Sequence, residues 1–215
     1  MTTQTEIIWK PSVFARKVVG RISFIFYQLS VGRFRGFDLY LDSPDRLVLE
    51  DVIIPYFISR SEYHKILFVG CEWYNKPYRQ LFRNQEYWTI EIEEWKKRYA
   101  SKRHIIDSLL NLDLHIENNY FDIIIYNGVF GHGINSREDV EESFNQCYKA
   151  LREGGILVFG WNNVPQYTPI PVTTECENLK KFDDYFFEPL STSEYLVPNT
   201  EFKHTYHFYK KPVAN

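Results

Sequence analysis

Lys65-Ile66-Leu67-Phe68-Val69-Gly70-Cys71-Glu72 is an apolar run that leads directly into a turn glycine. A short run of this kind, apolar on both sides, reads as a strand buried on both faces, and the glycine permits backbone angles that other residues avoid. Further on, Tyr87-Trp88-Thr89-Ile90-Glu91 reads as a second strand, ending in a carboxylate. Strand, glycine turn, helix, strand and acid, in that order, is how a doubly wound sheet offers its first two strand ends to a ribose-bearing ligand.

The pattern continues on both sides. Upstream, Ser43-Pro44-Asp45 reads as a helix start, with Leu47, Leu49, Val52, Ile53, Tyr56 and Phe57 at helical spacing, and Pro55 predicts a kink or an end. Downstream, residues 76–83 and 93–100 read as helices and 104–106 as a third strand. Asp122–Tyr126 is a strand whose Ile123-Ile124-Ile125 core is apolar on both faces. Ser136 and Asp139 form a capping box for a helix carrying Val140, Phe144, Cys147, Tyr148 and Leu151, which Gly154-Gly155 would end; residues 156–159 follow as a strand. Residues 202–209 alternate in strand fashion with no helix after them, as an antiparallel edge hairpin would. Strands alternating with helices make this an α/β chain with a doubly wound, Rossmann-like, mostly parallel sheet.

A chain of 215 residues suits one α/β domain with an extension: a basic, aromatic N-terminal arm or lid over 1–42 and the sheet domain over 43–215. Residues 1–40 carry Lys10, Arg16, Lys17, Arg21, Arg33 and Arg35 against Glu6 and Asp38, a net +4, so the total of −3 leaves −7 for the rest. Such an arm either packs as an amphipathic helix on its own domain or meets a peripheral membrane surface or a phosphate. A charge of +4 over this length is a weak footprint for nucleic acid, which is not expected as a partner. Cys71, Cys147 and Cys176 are widely spaced with no CxxC, so neither a disulfide framework nor a metal site is expected, and a cytoplasmic location fits. The longest uncharged run of the arm, residues 22–32, is too short to span a membrane.

Ligands of such a sheet lie across the carboxyl ends of its strands, which singles out Gly70, Cys71 and Glu72, then Glu91, then Asp107, then Asn127, Gly128 and the loop up to Gly133. Each has a plainer reading. Gly70 is a site glycine or a simple turn, Glu91 a ribose acceptor or a helix cap, and Asp107 an adenine acceptor or the cap of the turn after it. His132 is a general base or a hydrogen-bonded loop histidine, and Trp73 and Tyr74 line a pocket or fill a core.

Five segments, Ile-Leu-Phe-Val-Gly-Cys from Ile66, Thr-Ile-Glu-Ile-Glu from Thr89, Ile-Ile-Asp from Ile105, Phe-Asp-Ile-Ile-Ile-Tyr-Asn-Gly-Val-Phe-Gly-His from Phe121 and Ala-Leu-Arg-Glu-Gly-Gly-Ile-Leu-Val from Ala150, resemble in order and spacing the class I S-adenosylmethionine-dependent methyltransferases. The resemblance covers roughly residues 63–160. It implies a seven-stranded sheet with an antiparallel last strand, S-adenosylmethionine as cofactor, and methyl transfer to a small-molecule acceptor, with oxygen of a sugar or natural product as the expected atom. It also implies roles: Gly70, with Cys71 and Glu72, near the cofactor's methionine part, Glu91 on the ribose hydroxyls, Asp107 and Ser108 at the adenine, Asn127 and Gly128 beneath the cofactor, and His132 as catalytic base. The chain departs from the family pattern at Phe68, where an acid is usual, at Glu72 and Tyr74, where glycines are usual, and at Gly131, where a glutamate is common. Those departures keep a second reading open, a methyltransferase-like scaffold without activity. A nicotinamide oxidoreductase is disfavoured, because no GxGxxG turn is present to cradle a pyrophosphate. The stretch 161–185, with Pro165, Pro169 and Pro171, is a candidate lid.

Overall fold

Ile123 and Ile125 are fully buried in one apolar layer, and Ile124 in the other. That double burial is what the unbroken isoleucine run requires, and it marks the centre of the sheet. The computed structural model describes residue 41 and residues 43–214; the arm expected over 1–42 lies outside the described residues apart from Leu41.

The strands are β1 Lys65–Val69, β2 Glu86–Glu91, β3 Arg103–Ile106, β4 Phe121–Asn127, β5 Leu151–Asn162, β6 Asp183–Asp184, β7 Glu194–Leu196 and β8 His204–Lys210. They form one sheet in the order β3-β2-β1-β4-β5-β8-β6, with β7 also paired to β8. The first five are mutually parallel, and β8 runs antiparallel to β5. The doubly wound, mostly parallel architecture is as expected, with two adjustments. β8 is not the edge: β6 pairs with its Tyr209–Lys210 end and β7 with residues 205–207, so two short strands share the outer position. Among the described residues the sheet therefore counts eight strands where seven were expected.

One layer is α1, a continuous helix over 44–58, whose Leu49, Ile53, Ile54 and Phe57 bury against Ile66, Phe68, Ile123 and Ile125. It does not stop at Pro55. The turn Leu49–Ile53 is π-helical, with the Ile54 amide donating to the Leu49 carbonyl, and α-helix resumes over Ile54–Ile58. The wider turn accommodates the proline ring and the donor it lacks. The opposite layer holds the helix Arg137–Ala150, capped by Ser136, whose Oγ accepts from the Asp139 amide at 3.0 Å. Its far end is closed by Lys211, whose Nζ donates to the carbonyls of Tyr148 and Leu151 at 2.8 Å each.

Three further boundaries differ from the sequence reading. Residues 76–83 hold only the short helix Tyr78–Leu81, and 93–100 hold 3₁₀ turns over Glu94–Tyr99. β5 begins at Leu151, so Gly154-Gly155 lies inside a strand instead of ending the helix. Gly154 turns there with φ +70°, and a side chain on Gly155 would press on the Arg152 and Asp122 carbonyls at 2.9 and 3.1 Å.

Candidate functional site

β1 and β4 are neighbours, but the chain proceeds from β1 towards β2 and from β4 towards β5 in opposite directions. Their carboxyl ends therefore part and leave a crevice. A cavity of about 710 Å³ occupies it, lined by the ends of β1, β2 and β4, by the start of α1, and by Asn162 and residues 199–204.

At its β1 end, Gly70 has φ +82°, and its amide donates to the Ile90 carbonyl at 2.9 Å. A Cβ there would stand 2.9 Å from the Val129 side chain, so the turn needs glycine for both angle and space. The Cys71 amide donates to Glu91 Oε2 at 2.9 Å, and the Glu93 amide to Glu91 Oε1 at 3.0 Å. Two backbone donors thus fix the Glu91 carboxylate at the cavity wall, with half of its acceptor capacity still open. The Cys71 thiol is buried, which pushes its pKa up to about 12 and keeps it protonated.

The missing glycines have a structural replacement. Glu72 opens the 3₁₀ turn Trp73–Asn75, and its side chain and that of Asn75 cap each other's backbone. Lys96 donates to Glu72 Oε1 at 2.6 Å and lies 3.7 Å from Glu93 and 3.9 Å from Glu91. Burial works against the Lys96 charge, but these carboxylates more than offset it and raise the ammonium above its usual pKa. Tyr74 lines the cavity; Trp73 meets it edge-on from behind.

Arg46 was not anticipated. It is 6% exposed, lines the cavity, donates from Nη1 to the Tyr78 hydroxyl at 3.2 Å and sits 4.2 Å over the Tyr74 ring. The Tyr78 hydroxyl donates onward to Glu50 at 2.7 Å. A signal was available: positions 46, 49, 53 and 57 form one stripe of α1, so an arginine stands on an otherwise apolar face.

At the β4 end, Gly128 has φ +76°, and a Cβ there would meet nothing within 4 Å, so the backbone faces open cavity. Asn127 is buried, its Oδ1 3.1 Å from His204 Nε2; His204 Nδ1 is 2.8 Å from Asn162 Oδ1, and Asn162 Nδ2 is 3.2 Å from His132 Nε2. Burial lowers the pKa of His204 to about 4, and partial burial lowers that of His132. His132 stacks on Tyr167 at 4.4 Å, in the turn Pro165–Tyr167 of the proline-bearing stretch. Gly131 replaces the family glutamate for a local reason: φ is +77°, and a side chain would collide with the Tyr167 carbonyl.

Gly70, Cys71, Glu72, Glu91, Asn127, Gly128 and His132 are thus brought to one cavity. Asp107 and Ser108 are not among its lining residues. Asp107 accepts from the Ser108 amide at 2.7 Å and Asn111 Nδ2 at 2.9 Å, and its Oδ2 is 2.7 Å from His115 Nε2, a set that holds its carboxyl below the usual range, His115 first. Ser108 caps the turn Leu109–Leu114. Asp107, expected as either an adenine acceptor or the cap itself, thus lies one residue before the cap and braces it.

Residues 69–159 match the family model described as "Methyltransferase domain", over most of the stretch that resembles the class I S-adenosylmethionine-dependent methyltransferases. No curated protein matches the chain. Among solved structures, the N-methyltransferase NodS from Bradyrhizobium japonicum WM9 is similar, with a TM-score of 0.59 at 13% identity, covering 80% of this chain and 99% of its own. A SAM-dependent methyltransferase from Archaeoglobus fulgidus gives 0.54 at 17% identity, over 88% and 99%. The 1,6-didemethyltoxoflavin-N1-methyltransferase of Burkholderia thailandensis, solved with its substrate and S-adenosylhomocysteine, gives 0.55 at 12% identity, over 98% and 94%. No helix among the described residues is long and apolar enough to cross a membrane.

Proposed function

We propose that the protein is an S-adenosylmethionine-dependent methyltransferase acting on a small-molecule acceptor held at the His132 end of the cavity. The observation that carries this reading is the pairing within one crevice of a backbone-held Glu91 carboxylate with the open backbone of Gly128. Glu91 would accept from the two ribose hydroxyls, which its unused lone pairs permit. Arg46, a buried cation on the wall, would hold the cofactor's carboxylate. Gly70 and Gly128 would let the ligand lie against bare backbone. Bound there, S-adenosylmethionine supplies an electrophilic methyl group on a positively charged sulfur.

The chain's own contribution is positioning and proton removal. His132, whose depressed pKa leaves it neutral at neutral pH, is suited to take the proton of an acceptor hydroxyl. Oxygen is the favoured acceptor atom for that reason; an amine that loses its proton to the same ring is the runner-up. Phe202 lines the cavity with Tyr167 packed edge-on against it, an aromatic side that suits a sugar or planar natural product.

The test is thermal unfolding with S-adenosylmethionine, S-adenosylhomocysteine and NAD added separately. A ligand at 100 times its dissociation constant stabilises by about 2.7 kcal/mol, which moves the midpoint by on the order of 5–10 °C. A rise with the adenosyl compounds alone is expected. No rise at millimolar ligand would favour the scaffold reading, and a rise with NAD alone would overturn the cofactor assignment.

A further inference from the structure

Both ring nitrogens of His204 face an amide oxygen, Nε2 that of Asn127 and Nδ1 that of Asn162. A neutral imidazole has one N–H and can satisfy only one of them. Burial on the inner side of β8, at 6% exposure, keeps the ring neutral. One amide must therefore turn end for end.

Asn127 is poorly placed to do so. Its Oδ1 lies so close over Gly160 that any Cβ there would collide with it. An oxygen fits against the Cα hydrogens of Gly160, where an NH₂ would set hydrogen against hydrogen. Asn162 has no such constraint, because each end of its amide faces an imidazole nitrogen, His204 Nδ1 on one side and His132 Nε2 on the other. The consistent pattern is a directed chain. His204 Nε2–H donates to Asn127 Oδ1, Asn162 Nδ2–H donates to His204 Nδ1, and Asn162 Oδ1 is left to accept from His132 Nε2–H.

We infer that Asn162 and His204 are positioning residues that fix the tautomer of His132, holding its proton on Nε2 and leaving Nδ1 as the atom that accepts a proton from the acceptor. The inference rests on the reading of His132 as the base for its functional meaning, but not for its structural content. The buried Asn127 sets the polarity of the whole chain, and His204 transmits it from β4 across β5 to the loop after β4. The charged and titratable groups facing His204 are Asp45 and Arg46 of α1, Tyr206 of β8, whose ring lies 4.8 Å away, and His132 itself.

Long-range proton–nitrogen correlation spectra of the nitrogen-15-labelled full chain, near neutral pH and without cofactor, test this directly. Assignment uses His132→Gln and His204→Gln. The expected spectrum shows His132 and His204 both neutral and both protonated on Nε2. Asn162→Ala should replace the single His132 tautomer by a mixture, as should His204→Gln, which frees Asn162 to turn. Asn162→Asp, whose carboxylate only accepts, should keep the Nε2–H form of His132 and move the proton of His204 to Nδ1. A wild-type His132 protonated on Nδ1, a doubly protonated His204, or one His132 pattern shared by all variants would overturn the inference. The wild-type spectrum decides the tautomer even where a variant fails to fold. Absence of methyl transfer would leave the spectrum as expected, and a wrong tautomer would leave methyl transfer standing, so the two readings fail separately. Where an acceptor is known, Asn162→Ala should lower kcat about tenfold or more with KM little changed, and Asn162→Asp should recover much of the loss.

Discussion

At the end of the cavity made by β1 and β2, Glu72, Glu91 and Glu93 surround Lys96, and the working carboxylate is aimed by backbone amides. At the end made by β4, β5 and β8, Asn127, His204, Asn162 and His132 form a line without formal charge that runs from the buried Asn127 and His204 out to the exposed His132. The first end tolerates solvent, because its charges are partnered whether or not a ligand is present. The second works only while it stays neutral and unshifted, because a buried ring that gains a proton loses more than it gains. On the proposed function, recognition falls to charge and proton handling to geometry.

The largest effect should come from the charged end. On the proposed function, Glu91→Ala removes the acceptor proposed for two ribose hydroxyls, and hydrogen bonds to charged groups contribute ~1.5–3 kcal/mol each, so affinity for S-adenosylhomocysteine should fall on the order of 100-fold or more. Titration calorimetry that finds the affinity intact would break the division between the two ends. Next comes acid at the neutral end. His204 is held at about 4 when folded against 6.5 ordinarily, so between those values the unfolded chain binds more protons. Its contribution is fully present above about 6.5 and is lost as pH falls towards 4, by about 3 kcal/mol in all. Urea unfolding across that range should show the loss, and His204→Gln should flatten it; an unchanged slope would remove His204 as the sensitive group.

Gly160→Ala should cost about 1–3 kcal/mol by forcing Asn127 away from His204, which lowers the unfolding midpoint by roughly 2–4 °C per kcal/mol. Retention of the wild-type midpoint would mean that Asn127 moves aside freely, and the tautomer chain would lose its anchor. The smallest effect is expected at Lys96→Met, under about 1 kcal/mol, since its partners Glu72 and Glu93 are 37% and 48% exposed and such pairs are screened. A larger loss would show that Lys96 supports the turn in place of the missing glycines.

Much of this was legible beforehand. The runs 66–69 and 123–125 are apolar on both faces, and that pattern alone requires a covered parallel sheet. Gly70 and Glu91 stand at strand ends by spacing, so their arrival at one crevice follows from the topology. Boundaries fared worse where local chemistry misled: Gly154-Gly155 reads as the end of the helix, yet pairing of Leu151 with Phe121 of β4 carries the strand back to Leu151. Pro55 reads as a kink or an end of the helix, and burial of Ile54 and Phe57 holds the helix together through a π turn.

By itself, then, the sequence determined the sheet, its winding and the acid and glycines at its switch point, because hydrophobic period and strand-end position are local properties. Tertiary structure decided what those residues meet. Arg46 becomes a cavity wall only once α1 packs on β1, and Asp107, which pairs with Asn111 and His115, is not among the cavity's lining residues. His132 gains its partners from β5 and β8, where Asn162 lies 30 residues on and His204 a further 42. No periodicity encodes such a pairing; only the antiparallel register of those two strands places the two side chains together.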